Sequence, residues 1–151
     1  MRYYYISLIL LIGLQADALC VSADLANMRS GPGKKFANTW TVGKYTPLLK
    51  IGYKNGWYQV KDQDGVTHWI YNSLVTKRFK CMSVKVNKAY IRTKPGTNSS
   101  YAAYKVADKY FPFKRINAKD GWFHVIDASG NKFWIHENLV WRARKVSSFN
   151  F

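Results

Sequence analysis

The stretch NGWYQV at residues 55–60 decides the fold, because the chain repeats it as DGWFHV at residues 120–125. The repeat continues downstream without a gap: Gly65 recurs as Gly130 and Trp69 as Trp134, and both 130 − 65 and 134 − 69 equal 65. Self-similarity at a fixed period indicates duplication of one structural unit. A chain of 151 residues has room for two small domains, so we predict two copies of one module.

Each copy consists of short β-prone runs separated by Gly and Pro turns. In the first copy the runs are TWTV (residues 39–42), PLLKI (47–51), WYQV (57–60) and THWI (67–70). The segment DQDG at residues 62–65 predicts a hairpin turn, and NSLV at residues 72–75 predicts one helical turn before a last short strand. No window shows a sustained 3.6-residue period, so we predict an all-β chain of two small barrels in tandem.

Residues 1–18 have the pattern of a secretory signal peptide. Arg2 precedes an apolar run from Tyr3 to Leu14, and Ala-Asp-Ala at residues 16–18 is a small-x-small cleavage site. We therefore expect cleavage near Ala18 and a periplasmic or extracellular protein without a transmembrane span. The alternative is an uncleaved anchor, although the apolar run is short for a bilayer.

The charge balance favours an anionic partner. The chain has 24 Lys and Arg against 8 Asp and Glu, a net charge of +16. Such a balance favours a cell-wall polymer, an acidic lipid surface, nucleic acid or an acidic protein, and the alternative is a basic protein with no specific partner. Because the signal peptide predicts export, we expect an envelope partner and no nucleic acid.

The chain has two cysteines, Cys20 and Cys81. An even number of cysteines in an exported chain predicts a disulfide, with two free thiols as the alternative. Cys20 precedes the first strand of copy one, and Cys81 follows the end of that copy. Because the ends of a small barrel come close together, we expect a Cys20–Cys81 bond to close copy one on itself.

The motif NMRSGP at residues 27–32, followed by GWYQV at 56–60, Gly65 and Trp-Ile at 69–70, resembles the bacterial SH3-like (SH3b) domain. The resemblance covers both copies, although Tyr90 replaces Asn27 and Lys94 replaces Gly31 in the second. It implies two tandem SH3-like β-barrels. We place the first domain and its basic linker at residues 19–80, the second domain at 81–145 and a tail at 146–151.

The resemblance also implies a class of function. SH3b domains are usually non-catalytic targeting modules of exported proteins; several bind peptidoglycan, and many accompany a cell-wall hydrolase domain. It therefore implies docking to peptidoglycan or another anionic envelope polymer, with an envelope hydrolase as a further candidate partner. The alternative is a protein-interaction adaptor for an envelope enzyme or a secreted partner.

No catalytic or metal-binding pattern stands out. His68, His124 and His136 have no reactive neighbours in sequence, so we expect them on exposed strands or within an aromatic surface. The chain has no Cys-x-x-Cys and no His pair at i, i+4, so we predict neither a metal site nor a cofactor. Four acidic residues fall at turns, where Asp serves backbone geometry: Asp62, Asp64, Asp120 and Asp127. We expect no enzymatic activity.

The candidate ligand contacts lie in loops, because the binding surface of a small barrel usually lies between loops at one end of its sheet. The loops are residues 31–36, 53–57 and 62–65, where lysines accompany aromatic rings able to stack on sugars or peptide planes. With the corresponding residues of copy two, the candidates are Lys34, Lys35, Tyr53, Lys54, Trp57, Lys119 and Trp122.

The alternation of side chains along a β-strand predicts which tryptophans are exposed and which are buried. Trp57 would share a face with Gln59, opposite Val60, which favours partial exposure of Trp57 and of its equivalent Trp122; burial of both in the core is the alternative. We expect Trp69 and its equivalent in copy two, Trp134, in the core. Arg29 recurs as Arg92 before a Pro-Gly turn, and hydrogen bonding to loop carbonyls is the favoured role over ligand contact.

Overall fold

The computed structural model describes residues 17–144, which form two antiparallel sheets of seven strands each. The first sheet contains β1 (Asp17–Val21), β2 (Leu25–Arg29), β3 (Asn38–Gly43), β4 (Pro47–Lys54), β5 (Trp57–Lys61), β6 (Thr67–Tyr71) and β7 (Val75–Thr76). The second contains β8 (Cys81–Val84), β9 (Lys88–Arg92), β10 (Tyr101–Asp108), β11 (Pro112–Lys119), β12 (Trp122–Ile126), β13 (Lys132–His136) and β14 (Val140–Trp141).

The two sheets have the same topology, which confirms the prediction of an all-β duplicated fold. Their strand orders are β3-β2-β6-β5-β4-β1-β7 and β10-β9-β13-β12-β11-β8-β14. The predicted helical turn is a 3₁₀ turn at Asn72–Leu74, and a second one at Glu137–Leu139 occupies the same place in the other sheet. Within residues 17–144 no helix is long and apolar enough to cross a membrane.

The predicted signal peptide lies mostly outside the described residues. Only Asp17 and Ala18 are described, and both belong to β1, where they pair with Lys50 and Leu49 of β4. Cleavage after Ala18 would therefore remove the first two residues of that strand.

Alternating side chains of the strands fill one apolar core in each domain. In β5 and β6 the fully buried residues include Val60 and Ile70, and each buried aliphatic side chain of this size contributes roughly 1.5–3 kcal/mol. The prediction that Trp69 and Trp134 are core residues is wrong: both are only half-buried. Trp69 follows His68 and precedes Ile70, both of which are buried, so alternation turns its ring to the outer face.

The hairpins between β4 and β5 and between β11 and β12 have two-residue turns. Asn55 and Gly56 adopt φ values of 50° and 86°, and Asp120 and Gly121 adopt 50° and 81°. Two successive positive φ angles match the right-handed twist of the strands, and Asn-Gly and Asp-Gly supply them at the lowest cost. The segment 53–57, expected to be a ligand loop, is therefore a tight structural turn.

The predicted disulfide between Cys20 and Cys81 is confirmed. Its expected role is wrong, however, because it does not close the first copy on itself. Cys20 belongs to β1 of the first sheet, whereas Cys81 belongs to β8 and pairs with Lys114 of the second sheet. The bond therefore cross-links the first strands of the two domains.

The turn between β5 and β6 also contacts the second domain. Ser83 donates a hydrogen bond from its hydroxyl to Gln63 Oε1 at 2.5 Å, and the Tyr110 hydroxyl donates to Asp64 Oδ2 at 2.7 Å. The ring of Trp40 meets that of Tyr110 edge-on, with centroids 5.4 Å apart. With the disulfide, these contacts hold the two domains in one relative position.

Candidate functional site

The candidate residues that the sequence predicted in the first domain lie at opposite ends of its strands. Lys34 and Lys35 are exposed in the loop after β2, whereas Tyr53 and Lys54 are exposed at the end of β4. In the series β2, β6, β5 and β4 each strand is antiparallel to the next. The C-terminal ends of β2 and β4 therefore lie at opposite ends of the sheet. The expected surface built from all three loops therefore does not form.

The candidate tryptophans are poorly accessible. Trp57 and Trp122 lie on the outer face, as alternation predicts, but each is only 8% exposed. Cross-strand neighbours cover them edge-on: Tyr71 lies 5.5 Å from Trp57 and His136 lies 5.2 Å from Trp122, centroid to centroid. Of the two alternatives for these rings, partial exposure and burial, the structure thus shows burial, although neither ring belongs to an apolar core cluster. Lys119 pairs across the second hairpin with Trp122 and remains exposed.

A different set of side chains forms an accessible surface on the outer face of the second sheet. Tyr101 of β10 pairs with Arg92 of β9, Arg92 pairs with Trp134 of β13, and Trp134 pairs with His124 of β12. These four residues therefore form a row across four strands. With two neighbours they make up what we call the aromatic strip: Tyr90, Arg92, Tyr101, Lys105, His124 and Trp134.

Cations support the tyrosine end of the aromatic strip. The rings of Tyr90 and Tyr101 lie 5.4 Å apart and are 50% and 42% exposed. The Arg92 guanidinium carbon lies 4.1 Å from the centroid of Tyr101, and Lys105 Nζ lies 4.8 Å from it. Cations over aromatic faces contribute about 0.5–1 kcal/mol at exposed sites. The tyrosine end is thus a supported aromatic surface that carries positive charge.

Arg92 is held in place by the loop that follows it. Its Nη1 donates a hydrogen bond to the Ser99 carbonyl at 2.9 Å, and Arg29 makes the same bond to the Phe36 carbonyl at 2.9 Å. The predicted hydrogen bonding of both arginines to loop carbonyls is confirmed.

The other end of the aromatic strip is a stacked pair. The rings of His124 and Trp134 are 4.8 Å apart and inclined by only 8°. His124 is therefore part of an aromatic surface, as expected, and His136 contributes to another by covering Trp122.

His68 departs from its expected exposed position. It is 5% exposed, and its Nε2 lies 2.9 Å from Oδ2 of the buried Asp62. Its Nδ1 lies 2.8 Å from the hydroxyl oxygen of Thr39. Both ring nitrogens thus have polar partners inside the first domain, which indicates a structural role.

Within the described residues 17–80, the first domain has no equivalent of the aromatic strip. At the position of Tyr90 it has Asn27, whose Oδ1 accepts hydrogen bonds from Thr41 Oγ1 at 2.7 Å and from Asn38 Nδ2 at 3.3 Å. Gln59 occupies the position of His124, opposite Trp69. This face is polar and internally hydrogen-bonded, with Trp69 as the ring of its central row.

Two substitutions between the copies accompany the different ring position at Tyr101. In the first domain Phe36 folds over Gly31, so closely that a Cβ on Gly31 would lie 2.4 Å from the ring. The second domain has Lys94 in place of Gly31 and Tyr101 in place of Phe36. A residue with a Cβ at position 94 is incompatible with a ring packed as Phe36 is in the first domain, and the Tyr101 ring lies against Tyr90.

Tyr104, on the same strand as Tyr101, has a structural role. Its hydroxyl lies 3.4 Å from Asp127 Oδ2, and it also accepts a hydrogen bond from the Asn131 amide. Desolvation, followed by the charge of Asp127, raises the pKa of Tyr104 above its ordinary value. Tyr104 thus stays neutral and supports the turn after β12.

Comparison with known proteins gives the following. No curated protein matches the chain. Among solved structures, NlpC2 from Trichomonas vaginalis is 14% identical over 91% of this chain and 52% of that one, with a TM-score of 0.37. NlpC1 from Trichomonas vaginalis is 12% identical over 89% of this chain and 49% of that one, with a TM-score of 0.36. The chain thus spans about half the length of these two proteins.

A family model gives the assignment. The bacterial SH3 domain model matches residues 22–77 and again residues 85–142, which together cover most of the chain and correspond to the two sheets. The chain therefore belongs to the bacterial SH3 domain family, of which it has two domains in tandem.

Proposed function

We propose that this protein is a non-catalytic exported binding module that docks onto peptidoglycan or another anionic polymer of the cell envelope. The aromatic strip of the second domain is the observation that carries the proposal. Aromatic faces stack on sugar rings and peptide planes, and Arg92 and Lys105 attract the carboxylates such polymers carry. The first domain then supports the second and adds charge.

The overall charge supports the same function. With a net charge of +16, the protein attracts an anionic polymer from any direction, and the aromatic strip supplies local contacts. At 0.1 M salt, the attraction between charges more than about 10 Å apart is largely screened, whereas stacking is little changed. Binding should therefore weaken with salt while still depending on the tyrosines.

Replacing Tyr90 and Tyr101 together by alanine is expected to weaken binding to purified sacculi roughly tenfold. Each aromatic contact contributes about 0.5–1.5 kcal/mol, and 1.4 kcal/mol corresponds to a factor of ten in affinity. Co-sedimentation of the protein with sacculi, at increasing protein concentration and fixed salt, measures the change.

The matched control changes two residues on the equivalent face of the first domain, Asn27→Ala at the position of Tyr90 and Asn38→Ala at the residue that pairs with Arg29, and is expected to leave the affinity within about twofold. Equal binding by the tyrosine double variant and the native protein would contradict the proposal. Absence of sedimentation at low salt, together with stoichiometric capture of one envelope protein, would favour the adaptor function instead.

The proposed export also predicts where the mature chain begins. Mass spectrometry of the protein recovered from the periplasm or the medium is expected to give an N-terminus at Leu19, because Ala18 ends the small-x-small site. Such a chain lacks the ion pair between Asp17 and Lys77, whose charged atoms lie 2.7 Å apart. Recovery of the intact chain from the cytoplasm would contradict the proposed localisation.

A further inference from the structure

A cavity of about 310 Å³ lies at the junction of the two domains and is distinct from the aromatic strip. Part of its wall is apolar and comes from Leu19, Phe79, Met82 and the disulfide. The rest comes from the basic linker, from β11 and from the segment after β14. Because the cross-linked strands form one wall, the disulfide holds the cavity in shape.

The charged part of the wall that residues 17–144 form is cationic. Among these residues five basic ones line the cavity: Lys77, Lys80, Arg115, Arg142 and Arg144. No acidic residue of this part of the chain lines it. Lys77 pairs with Asp17, and the other four form no ion pair within residues 17–144. Mutual repulsion of these charges is relieved when an anion enters.

Two of the arginines are anchored by one buried ring. The guanidinium carbons of Arg142 and Arg115 lie 4.8 Å and 5.7 Å from the centroid of Phe123. Phe123 is 4% exposed and belongs to the core of the second domain. Stacking on a ring held in this way limits the motion of both side chains. A planar guanidinium offers paired donors that match the oxygens of a phosphate or carboxylate group.

We propose that this cavity binds an organic phosphate. Arg115 and Arg142 hold the phosphoryl oxygens, and the carbon part of the ligand lies on the apolar wall. A phosphate monoester carries nearly two negative charges at pH 7, which suits four unpaired cations better than the single charge of a carboxylate. This site goes beyond polymer docking, since it shares no residue with the aromatic strip and its ligand is small.

Titration calorimetry with phenyl phosphate, at constant ionic strength set by chloride, tests the site on the purified protein. We expect saturable binding of one ligand per chain, weakened about tenfold or more by Arg142→Gln, since hydrogen bonds between charged groups are the strong ones. The matched control is Arg78→Gln, which also removes one arginine charge but from the basic linker, at an exposed position that does not line the cavity. It should change the affinity less than about twofold.

Three further probes separate the contribution of the apolar group from that of the charge, and identify the source of the phosphoryl group. Inorganic phosphate should bind more weakly than phenyl phosphate because it has no apolar part, and benzoate should bind more weakly because it has one charge. Competition by phosphatidic acid vesicles, whose headgroup is a phosphate monoester, would assign the site to a lipid headgroup, and its absence to a soluble phosphate; either result supports the site. Equal weakening by the Arg78 and Arg142 variants, or benzoate binding as tight as that of phenyl phosphate, would overturn the proposal. Circular dichroism checks folding, and Arg115→Gln replaces Arg142→Gln if the latter is unfolded.

Discussion

Replacing Cys20 and Cys81 together by serine is expected to lower the free energy of unfolding by about 4 kcal/mol. The disulfide joins residues separated by 61 positions, and a cross-link of this length removes that much loop-closure free energy from the unfolded chain. The effect is large because small domains have only about 5–15 kcal/mol of stability in total. Urea unfolding followed by tryptophan fluorescence measures the change.

The position of the bond sharpens this prediction. Because it links β1 to β8, its removal loosens the junction between the domains as well as the chain as a whole. The contacts from Gln63 to Ser83 and from Asp64 to Tyr110 then remain to hold the domains together. The cysteine variant should therefore lose binding of phenyl phosphate as well as stability.

Reduction of the native protein provides the control. The reduced native protein and the double-serine variant should have the same urea midpoint, because both lack the cross-link but differ little in packing. An unchanged midpoint on reduction would show that the bond contributes nothing to stability, and a midpoint lower in the variant than in the reduced protein would assign the loss to the serine side chains.

The sequence was sufficient for the fold because the fold depends on local signals. The repeat predicted duplication, and the short β-prone runs between turn residues predicted the strands. The sequence also predicted the pairing of Cys20 with Cys81, but it did not predict which strands the bond joins. That depends on whether Cys81 ends the first sheet or begins the second, and a basic linker of this length is compatible with either.

The binding surface was harder to predict because it depends on register across several strands. Alternation correctly placed Trp57 on the outer face, yet it could not show that Tyr71 from the next strand covers the ring. The aromatic strip brings Arg92 next to Trp134, and 134 − 92 = 42 positions separate them in the chain. The replacement of Asn27 by Tyr90 was visible in the sequence, but its effect on the surface depends on the residues that the sheet places beside Tyr90.

Replacing Asp62 by alanine is expected to lower the free energy of unfolding by about 3–5 kcal/mol. Its Oδ1 accepts hydrogen bonds from the backbone nitrogens of Asp64 and Val66, each at 2.9 Å, and its Oδ2 meets His68. The carboxylate is 6% exposed, so alanine leaves a buried imidazole nitrogen and two turn donors without their partner. Unpaired buried groups of this kind are among the most costly single changes.

The matched control is Asp24→Ala. The Asp24 side chain is 97% exposed and lies 4.0 Å from Lys44 Nζ, so its removal should change the free energy of unfolding by less than about 0.5 kcal/mol. Urea unfolding of the three proteins at the same pH and salt gives the comparison. A loss below about 1 kcal/mol for Asp62→Ala would contradict a structural role for the pair.

The second domain separates the two functions of the Asp62 carboxylate. There Asp127 accepts the same two backbone hydrogen bonds, from Ser129 and Asn131, while Phe133 takes the place of His68 and packs 5.2 Å from Phe113. Capping of the turn is thus common to both domains, and the contact with a histidine is particular to the first. His68→Phe should accordingly cost less than Asp62→Ala, about 1–3 kcal/mol, because it removes only the second function. Equal losses in the two variants would mean that the histidine contact, and not the capped turn, accounts for the stability.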